Sequence, residues 1–261
     1  MRLFVLLLLV AGLAPAEDEE DLAAIQGKPD PTRPGGLEIP DPGTKVEDAS
    51  VARQEVSRFQ KERKASGKDR TKFIELLGRL GEWDHPIVLN EAKKYVRHSD
   101  HKVAVAAIVA VARQATSQDK AGAALYKCMS DKRTSIVCAA LVGMGKLGYD
   151  KASVKKKAYA LHRKDTGEMH KAAARYFGYV KDKDAFRMLA ENLDEPTGAA
   201  NPDDPSNPPA SYWKEKWMDW ARNIYYTRWA INQLVPGETF ETTKEAKDWA
   251  ETEGREHGIE W

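Results

Sequence analysis

One theme recurs along this chain at a nearly fixed interval. Gly78-Arg79-Leu80-Gly81, Ala112-Arg113-Gln114-Ala115, Gly145-Lys146-Leu147-Gly148 and Gly178-Tyr179-Val180-Lys181 begin 34, 33 and 33 residues apart. Each closes an apolar stretch of helical period: Phe73 to Leu80, Val103 to Ala112, Ile136 to Leu147 and Met169 to Val180. An Asp follows each within a few residues (Asp84, Asp119, Asp150, and Asp182 or Asp184) and is suited to open a second helix. The second helices are expected at about 86–98, 120–129, 151–164 and 184–193, and no stretch shows strand alternation. A helix–turn–helix unit of this length cannot bury its apolar face alone. Neighbouring units must therefore stack and share a core.

Small residues are placed where such a stack needs them. Ala104, Ala106, Ala107, Ala110 and Ala112 lie in one first helix, Ala139, Ala140, Gly143 and Gly145 in the next, and Ala172, Ala173, Ala174 and Gly178 in the third. A large side chain at such a seam overpacks it at about 1–3 kcal/mol. Ahead of the repeats, Ala52, Val56 and Phe59 mark a helix from about Val46 that breaks at Gly67. Behind them, 199–210 is a Pro-rich loop. Ser211 then opens a long helix to about Leu234, with Trp213, Trp217, Trp220, Ile224 and Ile231 on one face and Pro236-Gly237 as its stop. A short helix from Thr242 or Thr243 to about Glu253 follows.

The Asp-rich turns, the segments Val105-Ala106-Ala107 and Cys138-Ala139-Ala140, and the Gly-Lys-Leu-Gly ending together resemble the bacterial HEAT-like repeat proteins, relatives of armadillo solenoids. The likeness covers about residues 70–198. It implies an all-α fold: an α/α solenoid of about four to five HEAT-like helix pairs over 46–198, whose second helices line a concave face that binds a protein or other large partner. Phe240 to Trp249 is similar to an end piece of exported members of that group, which implies that 211–261 is a helical C-terminal cap. The second and fourth turns depart from the glycine pattern and are expected to differ.

Leu3 to Ala14 is a twelve-residue apolar run ending in Ala14-Pro15-Ala16, the pattern of a cleaved secretory signal over 1–16. Twelve helical residues rise about 18 Å, short of a hydrocarbon core of roughly 30 Å. The mature chain is thus expected to be soluble, periplasmic or extracellular, and without a transmembrane segment. Residues 17–45 combine acidic residues with five prolines and read as a disordered leader. In an oxidising compartment Cys128 and Cys138, on either side of the turn at 130–133, could form a disulfide or remain small buried hydrophobes.

No pattern selects a catalytic site, a metal or a cofactor. Gly143-Met144-Gly145-Lys146-Leu147-Gly148 matches a dinucleotide fingerprint in letters, but it ends a helix in repeat register instead of joining a strand to a helix. His98-Ser99-Asp100-His101 lacks a third metal ligand at helical spacing, and Asp203-Asp204 lacks the alternating oxygens of a calcium loop. Charge is segregated instead: residues 17–50 sum to −7, 51–198 to +12 and 199–261 to −5. Lys93, Lys94, Arg97, Lys127, Lys155, Lys156, Lys157 and Arg163 are the candidate binding residues. The expected function is an exported, non-enzymatic scaffold that binds a protein or peptide through a concave basic surface. The alternative is a cell-envelope binder of an anionic polymer or carbohydrate, accessory to an enzyme. Export argues against nucleic acid.

Overall fold

In the computed structural model the described residues are 37–164, 167–198 and 207–261. The expected signal segment 1–16, residues 17–36 of the expected leader and most of the expected loop at 199–210 lie outside them. The protein is all-α, with eleven α-helices among the described residues. They are α1 Ala49–Ser66, α2 Arg70–Leu80, α3 Pro86–Ala92, α4 His101–Ala112, α5 Gln118–Tyr126, α6 Thr134–Lys146, α7 Ala152–Lys164, α8 Glu168–Val180, α9 Phe186–Ala190, α10 Ala210–Leu234 and α11 Thr243–Thr252. Two compact units divide the described residues, 37–158 and 159–261. The division falls within α7, inside the span 46–198 that the sequence suggests is continuous.

Within 37–158 the first helices of the repeat form where the apolar periods place them. Asp48, Asp69 and Asp100 cap α1, α2 and α4, their carboxylates accepting backbone N–H bonds in each first turn. The first two of the second helices are shorter than expected, whereas α7 spans the expected 151–164 to within one residue. After α3 ends at Ala92, Lys94, Tyr95 and His98 donate to carbonyls three residues back, a tightening that buries Val96. After α5 the chain likewise continues as a 3-10 turn over Lys127–Ser130, burying Cys128 and Met129.

Asp84 does not cap the second helix, as the sequence suggests; His85 does so, its Nδ1 accepting the Ile87 N–H at 3.0 Å. Asp84, 2% exposed, instead accepts from Thr116 N–H at 2.8 Å and from its hydroxyl at 2.6 Å. The Gln114 amide donates to Trp83 O at 2.9 Å and accepts from His85 N–H at 3.1 Å. Arg133 donates to the carbonyls of His98 and Ser99, and Gln118 to that of Gly148 at 2.8 Å. These partners are separated by 29 to 35 residues, about one repeat. Helix α2 packs on α4 and α4 on α6. At the first of these contacts a Cβ on Gly81 would lie 2.8 Å from Ala110 Cα, so only glycine fits this approach.

Leader residues 37–45 are ordered, contrary to the expected disorder. Ile39 is 3% exposed. Thr44–Lys45 (β1) pairs in parallel with Trp83–Asp84 (β2), so a minimal two-residue strand pair exists where none is predicted. Gly43 N–H donates to Arg113 O at 2.9 Å, Arg113 Nε to Asp41 O at 2.9 Å, and Lys146 pairs with Asp41 at 3.0 Å. The backbone groups of this Pro-rich stretch find partners in the repeats because the stretch has none of its own.

In 159–261, α8 packs on α10. Arg175 lies over the Tyr226 ring at 4.6 Å, and Tyr179 meets Trp229 edge-on with ring centroids 4.9 Å apart. The second half of α10 is thus core. Its first turns are not, with Tyr212 39% exposed and Trp217 and Trp220 half-buried. Helix α11 begins with a capping box between Thr242 and Glu245. Its Trp249 joins Phe186 and Phe240 in an aromatic cluster with centroids 5.5 to 5.9 Å apart. Lys181 closes α8 in the left-handed region, φ 53°, the conformation Gly148 adopts at φ 67° one repeat earlier.

Candidate functional site

The basic residues singled out in the sequence separate into distinct environments. Arg97 donates to Lys127 O at 2.6 Å, while Lys157 reaches toward Ser130 Oγ at 3.5 Å and lies over the Tyr126 ring at 4.7 Å. Arg97, Lys127 and Lys157 thus share the edge formed by residues 126–130. Lys93 bonds to Asn90 of its own helix turn, and Lys156 is exposed. Lys94 and Lys155 are matched by carboxylates, Glu91 at 2.6 Å and Asp150 at 3.3 Å. Glu91 is 4% exposed; burial opposes its charge, but the bonds from Lys94 and Gln60 outweigh that and hold its pKa below the ordinary value. Arg163 belongs to the other unit and lines the cleft described below. Arg133, part of the basic run at 132–133, is held to Asp131 at 2.9 Å, and that contact lowers the Asp131 pKa to about 2.

Cys128 and Cys138 form no disulfide with each other. Cys128 is fully buried, with its Sγ 3.8 Å from the carbonyl oxygens of Val96 and Ala124, and burial pushes its thiol pKa up. The expected turn lies between the two residues, but the 3-10 geometry directs Cys128 into the core. His98 and Asp100 serve their own turn: Asp100 N–H donates to His98 Nδ1 at 3.1 Å, and the Asp100 carboxylate caps α4. Among the described residues no group of three or more His, Cys, Asp or Glu side chains is placed to hold a metal ion, and no helix is long and apolar enough to cross a membrane. Asp203 and Asp204 lie outside the described residues.

The unit 159–261 contains a cleft of about 730 Å³ that local sequence patterns do not reveal. The end of α7 supplies Tyr159, His162 and Arg163, the start of α8 supplies His170, α9 and the turn after it supply Arg187 through Pro196, and α10 supplies Lys216, Asp219, Trp220, Asn223 and Thr227. His162 and His170 stack with centroids 3.7 Å apart and planes tilted by 30°. His170 Nδ1 lies 3.0 Å from His162 O; a carbonyl only accepts, so this nitrogen carries the proton. His162 is 4% exposed, and burial, with smaller effects from His170 and Arg163, lowers its pKa to about 3. Its Nε2 is buried without a hydrogen-bond partner. The Tyr159 hydroxyl donates to Asp182 at 3.3 Å, and burial followed by that carboxylate raises the phenol's pKa. Trp220 Nε1 donates to Leu193 O at 3.1 Å, which fixes the indole on the wall. The two histidines are eight residues apart on consecutive helices, a spacing that carries no metal-ligand signature.

No protein-family model, curated protein or solved structure matches this chain. The fold and the two surfaces therefore define an all-α protein of two units, one with a basic edge and one with a histidine-floored cleft.

Proposed function

We propose that the protein is an exported, non-enzymatic α-solenoid scaffold that binds a protein or peptide partner through the basic surface of its repeats. In this reading about four to five HEAT-like helix pairs build the chain, and the C-terminal segment caps them. The observation that carries it is the set of hydrogen bonds 29 to 35 residues apart, each joining equivalent parts of consecutive repeats. Bonds at the repeat spacing are what a stack of units requires, since each unit contacts mainly its neighbours. The proposed export rests on the apolar run at 3–14 and the Ala14-Pro15-Ala16 site. Residues 37–158 contain 24 basic and 15 acidic side chains, so an acidic partner segment meets complementary charge. The matched charges of Lys94 and Lys155 disfavour the anionic-polymer alternative, which needs many open cations.

The test immobilises the mature chain and a Lys93→Glu/Lys127→Glu/Lys156→Glu variant against envelope proteins of the source organism, at about 50 mM and about 300 mM salt. A protein retained by the wild type and lost by the variant is the expected result. Equal retention by both chains rejects the basic surface, and recovery of polysaccharide alone transfers the function to the alternative.

A further inference from the structure

We propose that the cleft in 159–261 is a binding site for a neutral, hydroxyl-rich ligand, a short saccharide, with the His162 imidazole hydrogen-bonding it from the floor. The inference stands independently of the scaffold reading, because every residue it uses lies in the second unit.

The first support is the unpartnered Nε2 of His162. Buried polar groups are nearly always hydrogen-bonded, and an unpartnered buried nitrogen on a residue that lines a cleft points to a ligand atom that completes it. The ring is held in place by its stack on His170. A small shift of the cleft wall is enough to bring this nitrogen into reach of a ligand, since the ring itself stays stacked.

Charge then restricts the ligand. Arg187 is paired with Glu191 at 2.9 Å, Asp219 with Arg222 at 3.6 Å, and Lys216 lies over the Tyr212 ring at 5.6 Å. The rim residues Arg163 and Asp184 are opposite in sign. His162, resistant to protonation in its buried position, stays neutral near pH 7. The lining as a whole mixes both signs, Arg163, Arg187 and Lys216 against Asp184, Glu191, Asp194 and Asp219, which favours a ligand without large net charge, and its carboxylates, amide and imidazole can bond to hydroxyls. The half-buried Trp220, its N–H committed to Leu193 O, offers the aromatic wall on which an apolar ring face can rest.

Two other ligand classes fit less well. A metal would need a third ligand beside the two imidazoles, and no such cluster exists among the described residues. An extended peptide is recognised chiefly through exposed main-chain donors and acceptors. The helices α7, α8, α9 and α10 that form most of the wall spend theirs internally.

The test titrates the full mature chain with maltotriose, cellotriose and N,N′,N″-triacetylchitotriose, and with trialanine as the peptide probe, following tryptophan fluorescence and heat of binding. The variants are His162→Phe, His162→Gln and the exposed-rim Asp184→Ala, each checked by thermal melting. The expected result is saturable binding of at least one trisaccharide, weakened about tenfold or more by His162→Phe. The imidazole nitrogen resonances of His162 in the wild-type protein should shift on addition of that sugar, a readout that does not depend on a variant folding. Absence of saturation with all three sugars overturns the proposal. Unmoved His162 resonances overturn it as well, and so does saturation by trialanine alone.

Discussion

Gly81→Ala tests the close approach of successive repeats. The added Cβ would sit 2.8 Å from Ala110 Cα and 3.0 Å from Ala110 Cβ. Carbon atoms rest comfortably at about 3.5–4.0 Å, so α4 must retreat by roughly 0.7 Å, because a backbone atom cannot rotate aside. Overpacking of this kind costs about 1–3 kcal/mol. Gly81 has φ −69°, which alanine also adopts, so the substitution is free of backbone strain and gains about 0.4–1 kcal/mol by restricting the unfolded chain. The balance is a loss of about 1–2 kcal/mol. Urea unfolding followed by helical circular dichroism should show it as a midpoint lowered by roughly 0.5–1 M, for a slope of about 2 kcal/mol/M. Gly143→Ala is the graded control: its neighbours at 3.0 Å are Ala112 Cβ and the movable Leu125 Cδ1, so its loss should be smaller. A midpoint that rises in Gly81→Ala would refute the claim that this seam is closed.

Lys181→Gly should stabilise the protein by about 1 kcal/mol, read as a raised melting temperature, because it relieves a left-handed conformation that β-carbons resist; an unchanged or lowered melting temperature counts against that strain. His162 is neutral when folded, with a pKa near 3 against about 6.5 unfolded, so the unfolded chain takes up more protons on acidification. The stability it contributes is full above about pH 6.5 and is lost as pH falls toward 3, by about 2 kcal/mol between pH 7 and pH 5. His162→Phe should flatten that slope in urea titrations, and an identical slope in the variant would assign it elsewhere. Thiol labelling of the native protein should modify Cys138 before Cys128, whose side chain is fully buried; equal rates, or a mass showing a bridge, would contradict the packing. Glu91→Ala should cost about 1–2 kcal/mol, because it removes the buried carboxylate on which Lys94, Gln60 and Tyr95 converge; a loss within about 0.5 kcal/mol would show that this network is not structural.

The first helices were legible because Ala- and Gly-rich apolar periods specify both helix and seam over a dozen residues. The second helices were legible in place, but in length only at α7. Where Val96, Cys128 and Met129 turn inward the chain tightens to i→i+3 bonding, a choice made by neighbouring repeats and not by local propensity. Asp84 reads locally as a cap because it precedes a helix opened by Pro86; its true partner, Thr116, is 32 residues away. Ile39 has no periodic apolar neighbours to mark it as core, and its burial follows from the ladder between residues 44–45 and 83–84. The basic stretches were visible as letters, while Glu91 and Asp150, which match Lys94 and Lys155, were not recognisable as partners. The His162–His170 stack brings together side chains of two consecutive helices, which no spacing rule encodes.

Residues 41–46 bind, in order along the chain, Lys146 and Arg113 and then the turn at 82–84, the ends of three first helices in successive repeats. Mechanically the segment is a stay line. Helices that pack on one another flex by small rotations, and a tether fixed near the ends of α2, α4 and α6 limits the rotations those three helices can make against each other. Pulling on residue 41 should therefore load three joints at once instead of peeling one helix. A protease that trims the chain as far as Thr44 would remove the bonds to Lys146 and Arg113 without removing a single helix.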